Sequence, residues 1–294
     1  MTASKLHWIV VSPSLAAPAW CAKFHEQAES ANISVWDDHA LHASTLEHGI
    51  VLTDDLTLAV SLGVQRDHLT VVALQPFIDL EGCATDAEVN ARVEVVSRRI
   101  AAAYAVSDRI VDAPGHSVRV EGLAAFEAAE VRRLPHRVVT QREAALQKAL
   151  CIFTQNECAW SQALFTYDQR NGLSGPQTGR LDVTGRPRFL VTGPYINMPA
   201  GTWQAKITLS FDHDVSNRRF RIDWGGIEAY ASYEFCPGRS GKFDITLEHF
   251  WTEPGPAELR ILVLEGVFHG DVIFGGAVVS RVEQPDDVHG TVLG

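Results

Sequence analysis

The sequence predicts two kinds of structure in one chain: an α/β half with a parallel sheet, then an all-β half that forms an antiparallel sandwich. Apolar runs alternate with helical patterns over residues 6–140, which is the order that a doubly wound parallel sheet requires. Over residues 201–282, apolar and polar residues alternate with a period of two, which suits strands with one buried face. Clusters of glycine and proline separate these segments, as they do between the strands of a β-sandwich.

The α/β half begins with an apolar run at residues 6–12, which is typical of a strand buried on both faces. Trp20, Phe24 and Ala28 recur every fourth residue and predict a helix over residues 18–31. The capping-box spacing of Thr85 and Glu88 predicts the start of a later helix. Further strands are predicted at residues 33–38, 49–55, 69–75 and 108–115, and further helices at residues 39–48 and 56–63.

A second capping box, formed by Thr140 and Glu143, predicts a long helix that continues to about Phe165. The segment after it is rich in glycine, proline, asparagine and glutamine, a composition typical of a linker. We therefore predict an α/β domain at residues 1–165, a linker at 166–185, a β-sandwich at 186–284 and a loose tail at 285–294.

Composition and charge argue against several classes of function. The 294 residues carry a formal net charge of −11, which opposes binding to nucleic-acid phosphates and to anionic membrane surfaces. The five cysteines are scattered and form no C-x-x-C pair, so we expect reduced thiols rather than disulfides or a zinc site. The first apolar run is too short for a signal peptide or a membrane span, and we expect a cytoplasmic protein without membrane insertion.

The motifs of common cofactor sites are missing. No G-x-G-x-x-G follows the first predicted strand, and no phosphate-binding G-x-x-x-x-G-K-[ST] occurs, so we expect no cofactor. His39 and His42 lie three residues apart on a predicted helix, a spacing at which two imidazoles can share a metal. Since no third ligand follows at a fixed spacing, we predict no metal site.

Acidic residues fall where predicted parallel strands end. Asp37, Asp54 and Asp55 follow neighbouring strands, and ligands of open parallel sheets bind beyond the carboxyl ends of the strands. These carboxylates could hold a cation or orient a sugar hydroxyl, although aspartates directly before helices also serve as N-caps. Asp37, Asp54 and Asp55 are therefore the candidate catalytic residues, with N-capping as the competing interpretation.

The aromatic residues of the sandwich have two expected roles. A set in phase with the apolar face is expected in the core: Trp203, Phe211, Phe220, Trp224 and Phe243.

Other aromatic residues fall out of that phase. Phe250 and Trp251 are adjacent and must point to opposite faces, so one of them should be exposed, and Tyr230 and Tyr233 are out of phase in the same way. An exposed ring beside charged groups can stack on a sugar. The candidate ligand-binding residues are Arg219, Glu228, Tyr230 and Trp251.

Three short motifs carry a family resemblance. Gly193-Pro194-Tyr195, the Pro199-Ala200-Gly201-Thr202-Trp203 turn and Glu258-Leu259-Arg260 occur in a segment, about residues 186–283, that resembles jelly-roll β-sandwiches of the carbohydrate-binding-module type. In particular it is similar to those appended to bacterial polysaccharide-biosynthesis proteins. The amino-terminal half is similar to one Rossmann-type lobe of a GT-B glycosyltransferase, but the second lobe and a recognisable nucleotide-sugar motif are absent.

Three hypotheses follow, and the sequence leaves open whether the protein is an enzyme. The leading hypothesis is a glycan-associated accessory protein in bacterial polysaccharide biosynthesis, with a carbohydrate-binding-like sandwich. The second is a glycosyltransferase-like enzyme that uses a nucleotide sugar at the carboxyl edge of the amino-terminal sheet. The third is a structural assembly subunit whose sandwich contacts a protein partner or a second copy of the chain.

Overall fold

The computed structural model describes residues 5–12, 17–37, 48–72, 80–111, 116–131, 139–168, 175 and 178–282. The chain forms two compact units. The first consists of Met1–Phe77 with Arg99–Val139, and the second of Ile78–Arg98 with Thr140–Gly294. This division differs from the predicted domain boundaries near residues 165 and 186, which stay predictions about independently folding domains.

The first unit is built on a parallel five-stranded sheet with the strand order β2-β3-β1-β4-β5. Every strand pair in it is parallel, so the predicted parallel sheet is confirmed. In chain order, the elements up to Val131 are β1 (Lys5–Val11), α1 (Ala17–Ala31), β2 (Val35–Asp37), β3 (His48–Thr53), α2 (Leu56–Ser61), β4 (Leu69–Val72), α3 (Asp86–Val106), β5 (Arg109–Val111), β6 (Ser117–Val118), β7 (Phe126–Glu127) and α4 (Ala128–Val131).

One face of this sheet is covered by α1 and by the β6–β7 hairpin. Trp20, Phe24 and Ala28 are the buried residues of α1, which confirms the stripe predicted from their spacing. Phe126 of the hairpin packs edge-on against Phe24, with ring centroids 5.6 Å apart. The helix predicted at residues 39–48, with His39 and His42, lies outside the described residues.

The first part of α3 belongs to the second unit. Glu88 accepts hydrogen bonds from the backbone of Ala84 and Thr85, so the predicted capping box marks the start of this helix. Farther along, the backbone N–H of Asn197 donates to Ser97 Oγ at 2.9 Å, and Asn197 Nδ2 donates to the carbonyl of Glu94 at 3.0 Å. These bonds attach the first part of the helix to the rest of the second unit.

The second unit contains two antiparallel sheets. The five-stranded sheet has the order β10-β18-β13-β16, with β8 also paired to β18, and the six-stranded sheet has the order β15-β14-β17-β11-β9, with β12 also paired to β17. Their elements are α5 (Gln141–Ala149), β8 (Glu157–Trp160), β9 (Thr166–Tyr167), β10 (Arg180–Asp182), β11 (Arg188–Thr192), β12 (Pro194–Met198), β13 (Gly201–Phe211), β14 (Phe220–Gly226), β15 (Ala229–Phe235), β16 (Gly241–Trp251), β17 (Gly255–Val263) and β18 (Asp271–Arg281).

Aromatic residues join the two sheets. Trp224 of the six-stranded sheet packs edge-on against Trp160 and Trp251 of the five-stranded sheet, each with ring centroids 5.4 Å apart. Phe211 and Phe220 also pack across the two sheets, with tilted rings whose centroids are 5.0 Å apart. The predicted antiparallel sandwich is confirmed to this extent, while its jelly-roll connectivity and the Rossmann-like character of the first unit stay predictions.

The helix predicted to reach about Phe165 is wrong, since α5 ends at Ala149. One 3₁₀ turn follows at Leu150–Phe153, and residues Glu157–Trp160 then form β8, which pairs with β18. Cys158 and Trp160 point inward on alternate positions, as expected of a strand with one buried face. Within the predicted linker, β9 pairs with β11 and β10 pairs with β18.

Replacing Trp160 tests whether β8 is part of the sandwich core. Trp160 is fully buried, and removal of a buried aromatic side chain costs about 3–5 kcal/mol because of lost burial and the cavity left behind. We expect Trp160→Ala to lower the free energy of unfolding by that amount in urea denaturation. Phe250→Ala, at a position that is 56% exposed, is the matched control. Equal denaturation midpoints for the two variants would contradict this placement of β8.

Candidate functional site

A groove lies along one open side of the sandwich, between the terminal strands of the two sheets. In the described part of the chain, β15 pairs only with β14, and β16 only with β13. The inward-facing side chains of both strands are therefore covered on one side only. We call the space between them the edge groove; its volume is about 440 Å³. Its lining consists of Tyr233, Phe235, Cys236, Pro237, Phe243, Asp244, Ile245, Thr246 and Leu247.

Tyr233 is the exposed aromatic residue of the edge groove. Its ring lies nearly parallel to that of Phe235, with centroids 5.6 Å apart and an interplanar angle of 9°. Phe235 in turn packs against Phe211 and Phe220, at 5.9 and 6.0 Å. Tyr233 remains 49% exposed. The core thus supports a flat ring that faces solvent along the groove.

Polar groups border this apolar surface. β15 and β16 each have one edge with no strand partner among the described residues, and backbone N–H and C=O groups on such an edge are free to bond a ligand or water. Asp244 lies on the outer face of β16, where it pairs with Lys206 at 3.1 Å and accepts a hydrogen bond from Thr208 Oγ1 at 2.8 Å. The groove therefore combines an aromatic ring with hydrogen-bonding groups at its rim.

A second polar arrangement covers the outer face of the six-stranded sheet. Its members are Tyr195, Asp223, Tyr230, Glu258 and Arg260, and we call them the outer-face cluster. Glu258 accepts hydrogen bonds from both hydroxyls, Tyr195 at 2.8 Å and Tyr230 at 2.5 Å. Arg260 pairs with Asp223 at 2.9 Å, and its guanidinium lies 3.8 Å from the centroid of the Tyr230 ring.

The carboxylates of the outer-face cluster are already occupied. Asp223, which is fully buried, also accepts a hydrogen bond from Ser232 Oγ at 2.7 Å and lies 3.0 Å from Arg221 Nε. Burial, and then the hydrogen bonds to Glu258, raise the pKa values of Tyr195 and Tyr230 above the ordinary tyrosine value. Both hydroxyls therefore stay protonated and remain donors, so the cluster serves to join strands.

The four predicted ligand-binding residues do not form one surface. Tyr230 belongs to the outer-face cluster, Arg219 pairs with Glu265 at 2.7 Å, and Glu228 is exposed between β14 and β15. Trp251 faces the core, where it is 5% exposed, and Phe250 is the exposed member of that pair. The prediction of one exposed neighbour is correct, but the exposed ring is not Trp251, because Trp251 lies opposite Gly201 on the inner side of β16.

The candidate catalytic carboxylates are placed as follows. Asp55 caps α2, where Oδ1 accepts from the backbone N–H groups of Thr57 at 2.9 Å and Leu58 at 3.3 Å. The hydrogen bonds from Thr57 and Leu58 lower the pKa of Asp55. Asp54 is exposed, and Asp37 is the last residue of β2. The described residues contain no group of three histidine, cysteine, aspartate or glutamate side chains that could hold a metal, and a catalytic role for these aspartates stays a prediction.

A separate cavity of the first unit lies at the amino ends of β4 and β5. Its volume is about 770 Å³, and His7, His68, Thr70, Arg109 and Arg119 are among its lining residues. We call it the amino-edge pocket. Sequence reasoning missed it; the one signal was a histidine inside the otherwise apolar run of β1.

His7 forms the buried wall of the amino-edge pocket. The residue is 5% exposed, and its Nε2 lies 2.9 Å from Thr70 Oγ1. Burial is the main cause that lowers the pKa of His7 from 6.5 to about 4, and Arg109 and His68 add to the effect. Asp67 acts in the opposite direction. The imidazole is therefore neutral at physiological pH.

No protein-family model and no curated protein sequence matches the chain. Similar solved structures include TmCBM61 in complex with beta-1,4-galactotriose, at 11% sequence identity, with 40% of this chain and 81% of that chain covered and a TM-score of 0.30. Another is the C-terminal CBM6 of LamC from Zobellia galactanivorans, at 15% identity, with 34% and 76% covered and a TM-score of 0.24.

A third similar structure is a Family 16 Carbohydrate Binding Module, at 10% identity, with 44% of this chain and 86% of that chain covered and a TM-score of 0.27. At these TM-scores, the similarities support no conclusion about the ligand of this chain.

Among the described helices, none has the length and apolar character needed to cross a membrane.

The neutral state of His7 predicts a pH dependence of stability. Because its folded-state pKa of about 4 lies below the ordinary 6.5, the unfolded state binds more protons between these values, and stability falls as the pH drops through this window. At about 1.4 kcal/mol per unit of pKa difference, this amounts to about 3 kcal/mol.

His7→Gln retains a side chain that can bond Thr70 but does not titrate, so it is the informative variant. We expect the unfolding free energy of the wild type to fall by about 3 kcal/mol more than that of His7→Gln between pH 7 and pH 4. Chemical denaturation at a series of pH values measures both curves. Parallel curves would show that His7 is not held neutral by burial.

Proposed function

We propose that this chain binds glycans, and that the edge groove of the sandwich is the binding site. The observation that carries the proposal is the exposed ring of Tyr233, which is supported by Phe235 in a groove of about 440 Å³. A pyranose ring has an apolar face of C–H groups that packs on an aromatic ring, and hydroxyls that need hydrogen-bond partners. The groove offers both kinds of contact.

The dimensions of the edge groove favour a small ligand over a large protein surface. Ligand sites usually enclose about 300–1,000 Å³ and combine apolar walls with a few polar groups. Protein interfaces of stable assemblies instead bury about 800 Å² on each partner. One tyrosine ring between two strands is large enough to contact one or a few sugar units. It is too small to form a broad apolar contact with another protein.

A role in bacterial polysaccharide biosynthesis is a further part of the proposal, and it rests on the sequence resemblance of residues 186–283 alone. Glycosyltransferase activity is not part of it, because the side chain of Asp55 is engaged in capping α2. Arg219, Glu228, Tyr230 and Trp251 do not line the groove, and ligand contact by them stays a prediction.

Substitution of Tyr233 is the direct test of this site. The full chain is first screened against soluble polysaccharides and oligosaccharides, and the strongest ligand is then titrated by calorimetry. Loss of a central aromatic contact commonly costs 1.4 kcal/mol or more, which corresponds to about a tenfold loss of affinity. We expect Tyr233→Ala to weaken binding at least tenfold with little change in thermal stability, since the ring is 49% exposed.

Two further variants locate the site if binding is found. Phe250→Ala removes an exposed ring from the outer face of β16 and should leave affinity unchanged. Tyr230→Ala disrupts the outer-face cluster; a loss in this variant, together with full binding by Tyr233→Ala, would move the site to the other surface and contradict the edge groove. A chain that binds no glycan while it self-associates would instead support the assembly hypothesis.

A further inference from the structure

The amino-edge pocket is separate from the edge groove, because all of its lining residues belong to the first unit. His7 comes from β1, His68 precedes β4, Arg109 begins β5, and Arg119 follows β6. A smaller cavity of about 270 Å³ adjoins it and shares His7 and His68. The volume of about 770 Å³ falls within the range of small-molecule sites.

The pocket contains two arginines without carboxylate partners. Within the part of the chain that the structure describes, neither Arg109 nor Arg119 has a carboxylate within ion-pair distance. Three acids also line the pocket. Asp108 is paired with Arg66 at 2.8 Å, and Asp67 lies 3.7 Å from His68. Glu121 lines both this pocket and the smaller cavity beside it. Both guanidinium groups are on exposed residues, so they are accessible to a ligand.

Guanidinium groups have a planar set of donors that matches the oxygens of a carboxylate or a phosphate. Beside them, His7 and His68 have ring centroids 6.4 Å apart, which adds imidazole nitrogens as hydrogen-bonding groups at the buried side. A metal is a poor occupant, because the described residues bring no three metal-binding side chains together. The two guanidinium groups are therefore the contacts that this pocket offers to an oxyanion, beside the three carboxylates of its lining.

We propose that the amino-edge pocket binds a small molecule that carries a phosphate or carboxylate group, with Arg109 and Arg119 as its anion contacts. The formal net charge of −11 repels anions from the surface as a whole. An anion that binds this chain at moderate salt must therefore be held by a local cationic group. The proposal is independent of glycan binding by the sandwich.

Calorimetric titration of the full chain tests the proposal with three probes: inorganic phosphate, adenosine 5′-monophosphate and succinate. Together they distinguish a bare phosphate, a phosphate on an organic group, and a dicarboxylate. We expect one-to-one binding of at least one probe, with affinity that falls as the sodium chloride concentration rises. Arg109→Gln and Arg119→Gln should each weaken it at least tenfold, and the double variant should abolish it.

Arg239→Gln is the matched control, because it removes the same charge from an exposed position in the second unit. We expect it to bind the probes as the wild type does. Equal losses in Arg239→Gln and in the pocket variants would show that only net charge matters, and would overturn the proposal. Failure of all three probes to bind at millimolar concentration would overturn it as well. Thermal denaturation of every variant confirms that each is folded.

Discussion

Each sheet of the sandwich ends, among the described residues, in a strand that has a neighbour on one side only. The inward-facing side chains of that strand are therefore less completely buried than those of the central strands. Inward-facing side chains on β13 and β14 are covered from both sides, and Trp203 and Trp224 are accordingly buried. Phe243 on β16 and Tyr233 on β15 face the same interior, but the described residues place no strand beyond them. The edge groove is the direct result. The alternation of apolar and polar residues that builds the core thus also leaves aromatic side chains partly exposed at the edge of the sandwich.

The fold could be predicted wherever periodicity was unambiguous. The period-two alternation of β13 and the four-residue spacing of Trp20, Phe24 and Ala28 gave the correct elements. Residues 150–165 were assigned wrongly, because short apolar runs fit a helix and a strand equally well. Pairing with β18 decides between them for β8, and such a contact between distant parts of the chain leaves no local trace in the sequence.

The candidate site was predicted less well than the fold, because alternation gives relative orientation only. It places Phe250 and Trp251 on opposite faces, yet the register of β16 against β13 decides which face is inside. For the same reason, Tyr233 could not be distinguished in advance from Tyr230. The amino-edge pocket was missed because His68, Arg109 and Arg119 come from separate segments that only the parallel sheet and its hairpin bring together.

The edge of β16 that has no strand partner among the described residues could promote aggregation as well as bind a ligand. Among the described residues, β16 pairs with β13 on one edge only. The backbone donors and acceptors on its other edge form a template on which a strand from another molecule could add, and such addition leads to aggregation. Lys242, Asp244 and Glu248 alternate along the outer face of this strand, and any newly added strand would have to place its side chains beside their charges. These charges therefore oppose the addition of a strand along this edge.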